Sequence, residues 1–252
     1  MKLPKNKKIY FASDNHLGLP NADASLEREK HFVSWLENVR KDAAAIYLLG
    51  DLFDFWFEYK TVVPKGFVRV LGKLAELSDT GIPITFFVGN HDLWIRDYFQ
   101  KELGVTVHHH PITLTIGTAR FLIGHGDGLG PGDKGYKRMK KLFTNPLSKW
   151  LFRWLHPDWG VRLGQYLSQK NKLISGEDDV QFLGEDKEWL VTYSKRKLQK
   201  EHFDYFVFGH RHLPLEIKLT EKSKYINLGD WITHNTYAEF DGKQLVLKTW
   251  KK

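Results

Sequence analysis

Cysteine is absent from the chain. That excludes disulfides and every zinc site built on thiolates, and it fits a reducing compartment. Nowhere do the roughly 20 apolar residues needed to cross a bilayer run together, and no signal-peptide core follows the basic start Lys2–Lys8. These absences predict a protein that is soluble or peripheral to a membrane. There is no internal repeat and no low-complexity segment. Acidic residues are almost missing from one long stretch, a scarcity taken up below.

What is present bounds the fold. With 252 residues and 42% hydrophobic content, the chain can build one large domain or two small ones around a sizeable core. The formal net charge of +8 favours an anionic partner, whether phosphate esters, nucleic acid or an anionic membrane surface.

The first half alternates strands and helices. Ile9–Ser13 reads as a strand and Ser25–Arg40 as a helix with Phe32, Val33, Leu36 and Val39 on one face. Ala43–Leu49 is a strand, Phe67–Ser78 a helix and Ile84–Val88 a buried strand, a rhythm that predicts α/β architecture. Short strands follow at Val105–His108, Thr113–Ile116 and Arg120–Ile123, then a long helical section from about 132 to 200. Tyr205–Phe208, Lys224–Leu228 and Leu245–Trp250 read as closing strands.

The most informative stretch is Ile46–Trp56. An apolar run stops at Gly50, and Asp51 and Asp54 follow where an open α/β sheet binds its ligands, just past the carboxyl end of a strand. Asp51, bracketed by Leu49, Leu52, Phe53 and Phe55, is costly to bury without a partner, and a cation would offset the cost. Alone, Asp51 reads more readily as a helix N-cap than as a metal ligand. Four other strand-like runs decide the matter, because each ends in hydrogen-bonding or metal-ligating residues: Asp14-Asn15-His16, Gly89-Asn90-His91-Asp92, Gly124-His125 and Gly209-His210-Arg211-His212. Together they predict one site assembled from separated segments. Carboxylate, imidazole and one amide oxygen suit Mn, Fe or Zn rather than Ca. Six or seven such ligands exceed one tetrahedral ion and suit two ions, about 3.5–4 Å apart, that clamp a phosphoryl displacement.

These ordered blocks resemble the calcineurin-like metallophosphoesterase superfamily, with its pattern D-x-H, G-D-x-x-D, G-N-H-[DE], G-H and G-H-x-H, from Asp14 to His212. The resemblance implies a two-sheet α/β sandwich with flanking helices, a single domain over 1–252 with a helical cap at about 130–200, and two divalent metal ions. Asp14, His16, Asp51 and His212 would hold the first ion; Asp51 would bridge to the second, held with Asn90, His125 and His210. His91 would contact the phosphate and act in catalysis, oriented by Asp92, while Asp54 would stand behind the ligands.

Within the superfamily the chain is similar to the UDP-2,3-diacylglucosamine pyrophosphohydrolases of lipid A synthesis, on Ser13–Gly18, Gly50–Phe53, Gly124–Leu129, Asp133 and Tyr136. That family acts on a lipid-linked nucleotide, with Mn2+ the expected ion, at the cytoplasmic face of the inner membrane. The resemblance implies substrate contacts from Asn90, His91, Asp133, Tyr136, Ser168, Lys172 and His210. One departure is His91, where better-known members carry Arg; histidine can transfer a proton and arginine cannot.

The stretch short of acids is Lys134–Lys172. It holds ten Lys and Arg against one acid, Asp158, or ten minus one, +9. Asn145 and Pro146 start a helix. Leu147, Trp150, Leu151, Trp154 and Leu155 then recur at helical spacing, and after a break at His156-Pro157-Asp158 so do Trp159, Leu163, Tyr166 and Leu167. Such a stripe suits a membrane interface or an acyl-chain enclosure. It also fits two helices packed on the sheet with a solvated basic face. Specific nucleic-acid binding is disfavoured, because the aromatics lie with Leu rather than among the Lys.

Overall fold

The computed structural model describes residues 1–130, 134–175, 182 and 184–251, without the side chains of 134 and 169–175. Two sheets face each other, as the resemblance implies. In the first, β1 (Lys8–Ala12), β2 (Ala43–Leu48), β3 (Ile84–Phe87) and β4 (Thr106–His108) run parallel. β10 (Thr236–Phe240) joins β1 antiparallel and β11 (Leu245–Thr249) closes that edge. In the second, β6 (Ala119–Gly124), β7 (Tyr205–Phe208) and β9 (Ser223–Leu228) are parallel, flanked by antiparallel β5 (Ile112–Ile116) and β8 (Pro214–Thr220).

Alternation along the strands sends side chains to two cores. Ile9, Phe11, Phe121, Ile123, Val207, Ile226 and Phe240 fill the space between the sheets. Tyr10, Ile46, Leu48, Ile84 and Phe86 point the other way, against α1 (Ala22–Val39), α2 (Val68–Asp79) and α3 (Tyr98–Leu103). The outer face of the second sheet packs Leu122, Phe206, Phe208 and Tyr225 on Leu190 and Val191 of α7 (Trp189–Leu198). Strands buried on both faces explain why β1, β2 and β3 read as continuous apolar runs.

Helix starts are fixed by local chemistry. Asn21 Oδ1 accepts the Ala24 N–H at 2.9 Å and begins α1 three residues before the expected Ser25. α2 has no side-chain cap of its own; buried Glu29 of α1 accepts from the N–H groups of Arg69 and Val70 at 2.9 and 3.0 Å.

The helical section is broken into α4 (Lys134–Thr144), α5 (Pro146–Arg153), α6 (Pro157–Ser175) and α7. Asn145 caps α5 through Leu147 N at 2.8 Å, with Pro146 at its first position. α5 turns Phe152 inward against Phe57 and Trp94, at ring-centroid distances of 4.6 and 5.0 Å. Its Trp-Leu stripe faces outward: Trp150, Trp154 and, on α6, Trp159 are 52%, 75% and 71% exposed. Packing of that stripe on the sheet, one reading of the sequence, is therefore not what the fold does with it.

Candidate active site and metal centre

Every sequence block lies just past the carboxyl end of a parallel strand: Asp14 after β1, Asp51 after β2, Asn90 after β3, His125 after β6 and His210 after β7. The two sheets present these ends side by side, so blocks nearly 200 residues apart meet. Asp14, His16 and His212 form one group of potential ligand atoms; Asp51, His125 and His210 form another; His16, Asp51 and His91 form a third.

Asp51 is the hinge between groups. Its Oδ2 lies 3.3 Å from His125 Nε2 and 3.7 Å from His16 Nε2, while Oδ1 accepts the His91 N–H at 2.9 Å. His16 Nε2 also lies 3.0 Å from His212 Nε2. Asp14 directs Oδ1 toward His212 Nε2 at 3.4 Å, and that oxygen, fully buried, has no hydrogen-bond partner. Its Oδ2 accepts from His210 N at 2.9 Å. Asn90 Oδ1 lies 3.0 Å from His125 Nε2.

The imidazoles are aimed from behind. His125 Nδ1 donates to Leu49 O at 2.7 Å, which turns Nε2 toward Asp51 and Asn90. Asp54 Oδ1 sits 3.4 Å from His16 Nδ1 and 3.4 Å from His91 Nδ1. His91 Nδ1 is also 3.1 Å from Asp54 O and 2.9 Å from Ser168 Oγ. The expectation that Asp92 orients His91 needs correcting. Asp92 is fully buried and accepts the N–H groups of Gly89 and Leu52 at 2.7 and 3.0 Å, tying two loops together, and the carboxylate beside His91 Nδ1 is that of Asp54.

Backbone geometry shows what the arrangement costs. Asp14, His16, Asp51, His210 and His212 all have positive φ, between 44° and 72°, in the left-handed region that side chains other than glycine disfavour. Gly89 and Gly209 permit close approach: a Cβ at 89 would strike Asp51 Oδ1, and one at 209 would strike Ser13 Oγ and Asp14 Oδ2.

Charge is equally concentrated. Burial alone would raise the Asp14 carboxyl, but His16, His212 and His125 hold it down to about 2. Asp51 is likewise held well below the usual carboxylate range, against burial, chiefly by His125 and His91. His125 moves the other way: burial disfavours its charge, yet Asp51 raises it to about 10. Burial, with Asp51's charge, pushes Asp92 up to about 7. Ionised Asp14, Asp51 and Asp54, buried together, demand positive charge at their centre. With the orphaned Asp14 oxygen and the converging imidazoles, this donor set fits two divalent cations.

Tyr136 and Lys140 of α4 both donate to Asp127 Oδ2, so α4 is anchored beside His125. Asp133 and the side chain of Lys172 lie outside the described residues. The sequence reading gave no role to three supports of the site. Arg211, between His210 and His212, donates to buried Glu188 at the start of α7 at 3.0 and 2.9 Å. Asp230 Oδ2 stands 3.8 Å from His212 Nδ1, and Arg28 Nη1 donates to the carbonyls of Asn15, His16 and Leu19. Asp230 had a signal, since Gly229-Asp230 after β9 repeats the Gly50-Asp51 arrangement after β2.

A UDP-2,3-diacylglucosamine hydrolase of Porphyromonas gingivalis is 42% identical over 255 residues, covering 96% of this chain and 97% of its own. One from Pseudomonas putida is 30% identical over 230 residues, covering 88% and 90%. Among solved structures, Yfce, a phosphoesterase from E. coli, aligns with a TM-score of 0.48 and 16% identity over 96% of this chain and 92% of that one. The sequence pattern of the calcineurin-like phosphoesterases matches residues 7–214, and the chain belongs to that family.

Proposed function

We infer that the protein hydrolyses the pyrophosphate bond of UDP-2,3-diacylglucosamine, giving UMP and 2,3-diacylglucosamine 1-phosphate, as an enzyme of lipid A synthesis. The observation that carries this reading is Asp51 Oδ2, standing between His16 and His125 where one oxygen can serve two cations. Near full-length identity to hydrolases named for this substrate supports the choice of lipid nucleotide.

Asp14, His16, Asp51 and His212 would hold one divalent cation and Asp51, Asn90, His125 and His210 the other, with Mn2+ the expected ion. When bound, the pair would polarise the phosphoryl oxygens and lower the pKa of the attacking water. The remaining work falls to side chains. His91 Nδ1 faces two acceptors, the Asp54 carbonyl and carboxylate, so Nδ1 carries a hydrogen. A proton for the leaving phosphate oxygen would then come from Nε2 of the imidazolium, a charge that Asp54 stabilises. Tyr136 would line the substrate's path, and Asp133 and Lys172 are expected to add substrate contacts.

The outward Trp-Leu stripe and the basic excess of Lys134–Lys172 support peripheral contact with an anionic inner-membrane surface on the cytoplasmic side. No helix among the described residues is long and apolar enough to cross a membrane. Residues 130–200 would act as a cap on a single catalytic domain.

The test is turnover of the purified, Mn2+-loaded protein on the lipid nucleotide. UMP release is the expected result, and none at micromolar enzyme overturns the reading. His91, the histidine of the wider superfamily, gives a second reading in which soluble nucleotides or simple phosphodiesters are the substrates. Turnover of a model diester exceeding that of the lipid nucleotide by orders of magnitude selects it.

A further inference from the structure

One face of α6 carries Gly160, Gly164 and Ser168 at successive intervals of four residues, which stacks them in one row. The two glycines let the helix lie directly on the loop after Asp54. A Cβ on Gly160 would run into the Tyr59 hydroxyl, and one on Gly164 would run into the Phe55 ring. One turn further along, the third member of the row meets His91, with Ser168 Oγ 2.9 Å from Nδ1. The seating of α6 on the loop therefore decides whether a hydroxyl stands behind the His91 ring. α6 also exposes Trp159, Leu163, Tyr166 and Leu167.

We propose that Ser168 is a positioning residue for His91, holding the imidazole from the Nδ1 side so that Nε2 is aimed at the scissile phosphoryl group. It rests on the phosphoesterase reading above, but assigns Ser168 to the histidine rather than to the lipid. Asp54 offers Nδ1 acceptors at 3.1 and 3.4 Å, and the His16 ring packs edge-on against the imidazole with centroids 4.6 Å apart. A hydroxyl brought from a separate element, 2.9 Å from Nδ1, adds a hold on that side of the ring. It also links the helix that carries the exposed aromatic stripe to the group that acts on the phosphate.

The experiment compares Ser168→Ala, Ser168→Thr, His91→Ala and the double variant Ser168→Ala/His91→Ala. Each is assayed on the lipid nucleotide and on bis(4-nitrophenyl) phosphate, which has no acyl chain. Positioning predicts that Ser168→Ala lowers kcat roughly three- to tenfold on both substrates, the worth of one ordinary hydrogen bond, with KM little changed. Ser168→Thr restores kcat, and the double variant is no worse than His91→Ala. A second readout needs no activity. In 15N spectra of the metal-free protein, the His91 Nδ1 resonance moves in Ser168→Ala and returns in Ser168→Thr. A rise in KM for the lipid nucleotide alone would assign Ser168 to substrate contact and overturn the proposal. So would full additivity with His91→Ala, or an unmoved Nδ1 resonance. Should the wild-type protein ignore the lipid nucleotide altogether, the substrate reading fails while the diester and the spectra still decide the role of Ser168.

Discussion

Tryptophan is used in opposite ways by two regions of this molecule. In the sandwich, Trp35, Trp56 and Trp231 are buried, Trp35 and Trp231 against each other and Phe32. On α5 and α6, Trp150, Trp154 and Trp159 are at least half exposed. The residue is the same and so is its appetite for burial, which for a large aromatic ring is among the strongest any side chain has. In the sandwich that appetite is met within the chain and holds up the strand ends. On the cap helices it is left unmet among the described residues, and the site lies between the two regions. Exposed aromatics set among Lys and Arg support the proposed contact with an anionic surface.

Substitutions can break this contrast, beginning with the largest effect. Asp51→Ala should cost more than about a hundredfold in phosphoesterase turnover, beyond what losing a supporting residue behind a metal ligand costs; retained turnover with full metal content would remove Asp51 from its proposed bridging role. Trp35→Ala should destabilise the fold by about 3–5 kcal/mol in chemical denaturation, the cost of emptying a core aromatic site. Stripping divalent cations with a chelator should lower stability by about 2.7 kcal/mol for each ion lost, relative to protein held at a hundred times the dissociation constant, measured as a fall in the thermal midpoint. Changing Trp150, Trp154 and Trp159 to Ser should leave stability within about 0.5 kcal/mol, as for ordinary surface positions. The same triple change should weaken sedimentation with anionic vesicles by roughly tenfold or more, since each Trp gives up apolar contact with the bilayer. If stability collapsed instead, the outward stripe would be packing within the fold and the contrast would vanish.

The strand ends were legible in sequence because their chemistry is discontinuous with their surroundings. An apolar run followed at once by Gly and a ligand type is hard to produce by packing needs alone, and four of them, with Ser13-Asp14 as a fifth strand end, pointed to both the site and the family. Supports that act through the backbone left weaker traces. Arg28 works by donating to three main-chain carbonyls from within α1, where it reads as one more surface cation. Asp92 sits beside His91 in sequence, yet the turn directs its carboxylate onto two backbone N–H groups. The short helix α3 buries only Phe99 and Leu103, too few positions to show a period. Strand β10 is buried throughout, with Glu239 satisfied by Lys248 and Lys8 from neighbouring strands, so its inward acid masked the strand. The stripe on α5 was visible as a period, but periodicity says which residues share a face and not which way the face turns. Phe152, lying off the stripe, settled that by packing against Phe57 and Trp94.

The left-handed turns at Asp14, His16, Asp51, His210 and His212 have a consequence for how the protein matures. Each such residue carries on the order of 1 kcal/mol of unfavourable backbone energy, which the sheets must sustain until something at the centre of the loops compensates. A newly made chain would complete its sandwich first and its catalytic loops last, upon loading. Preparations that lose their ions in storage would then fail from the strand tips inward, becoming inactive well before they become insoluble.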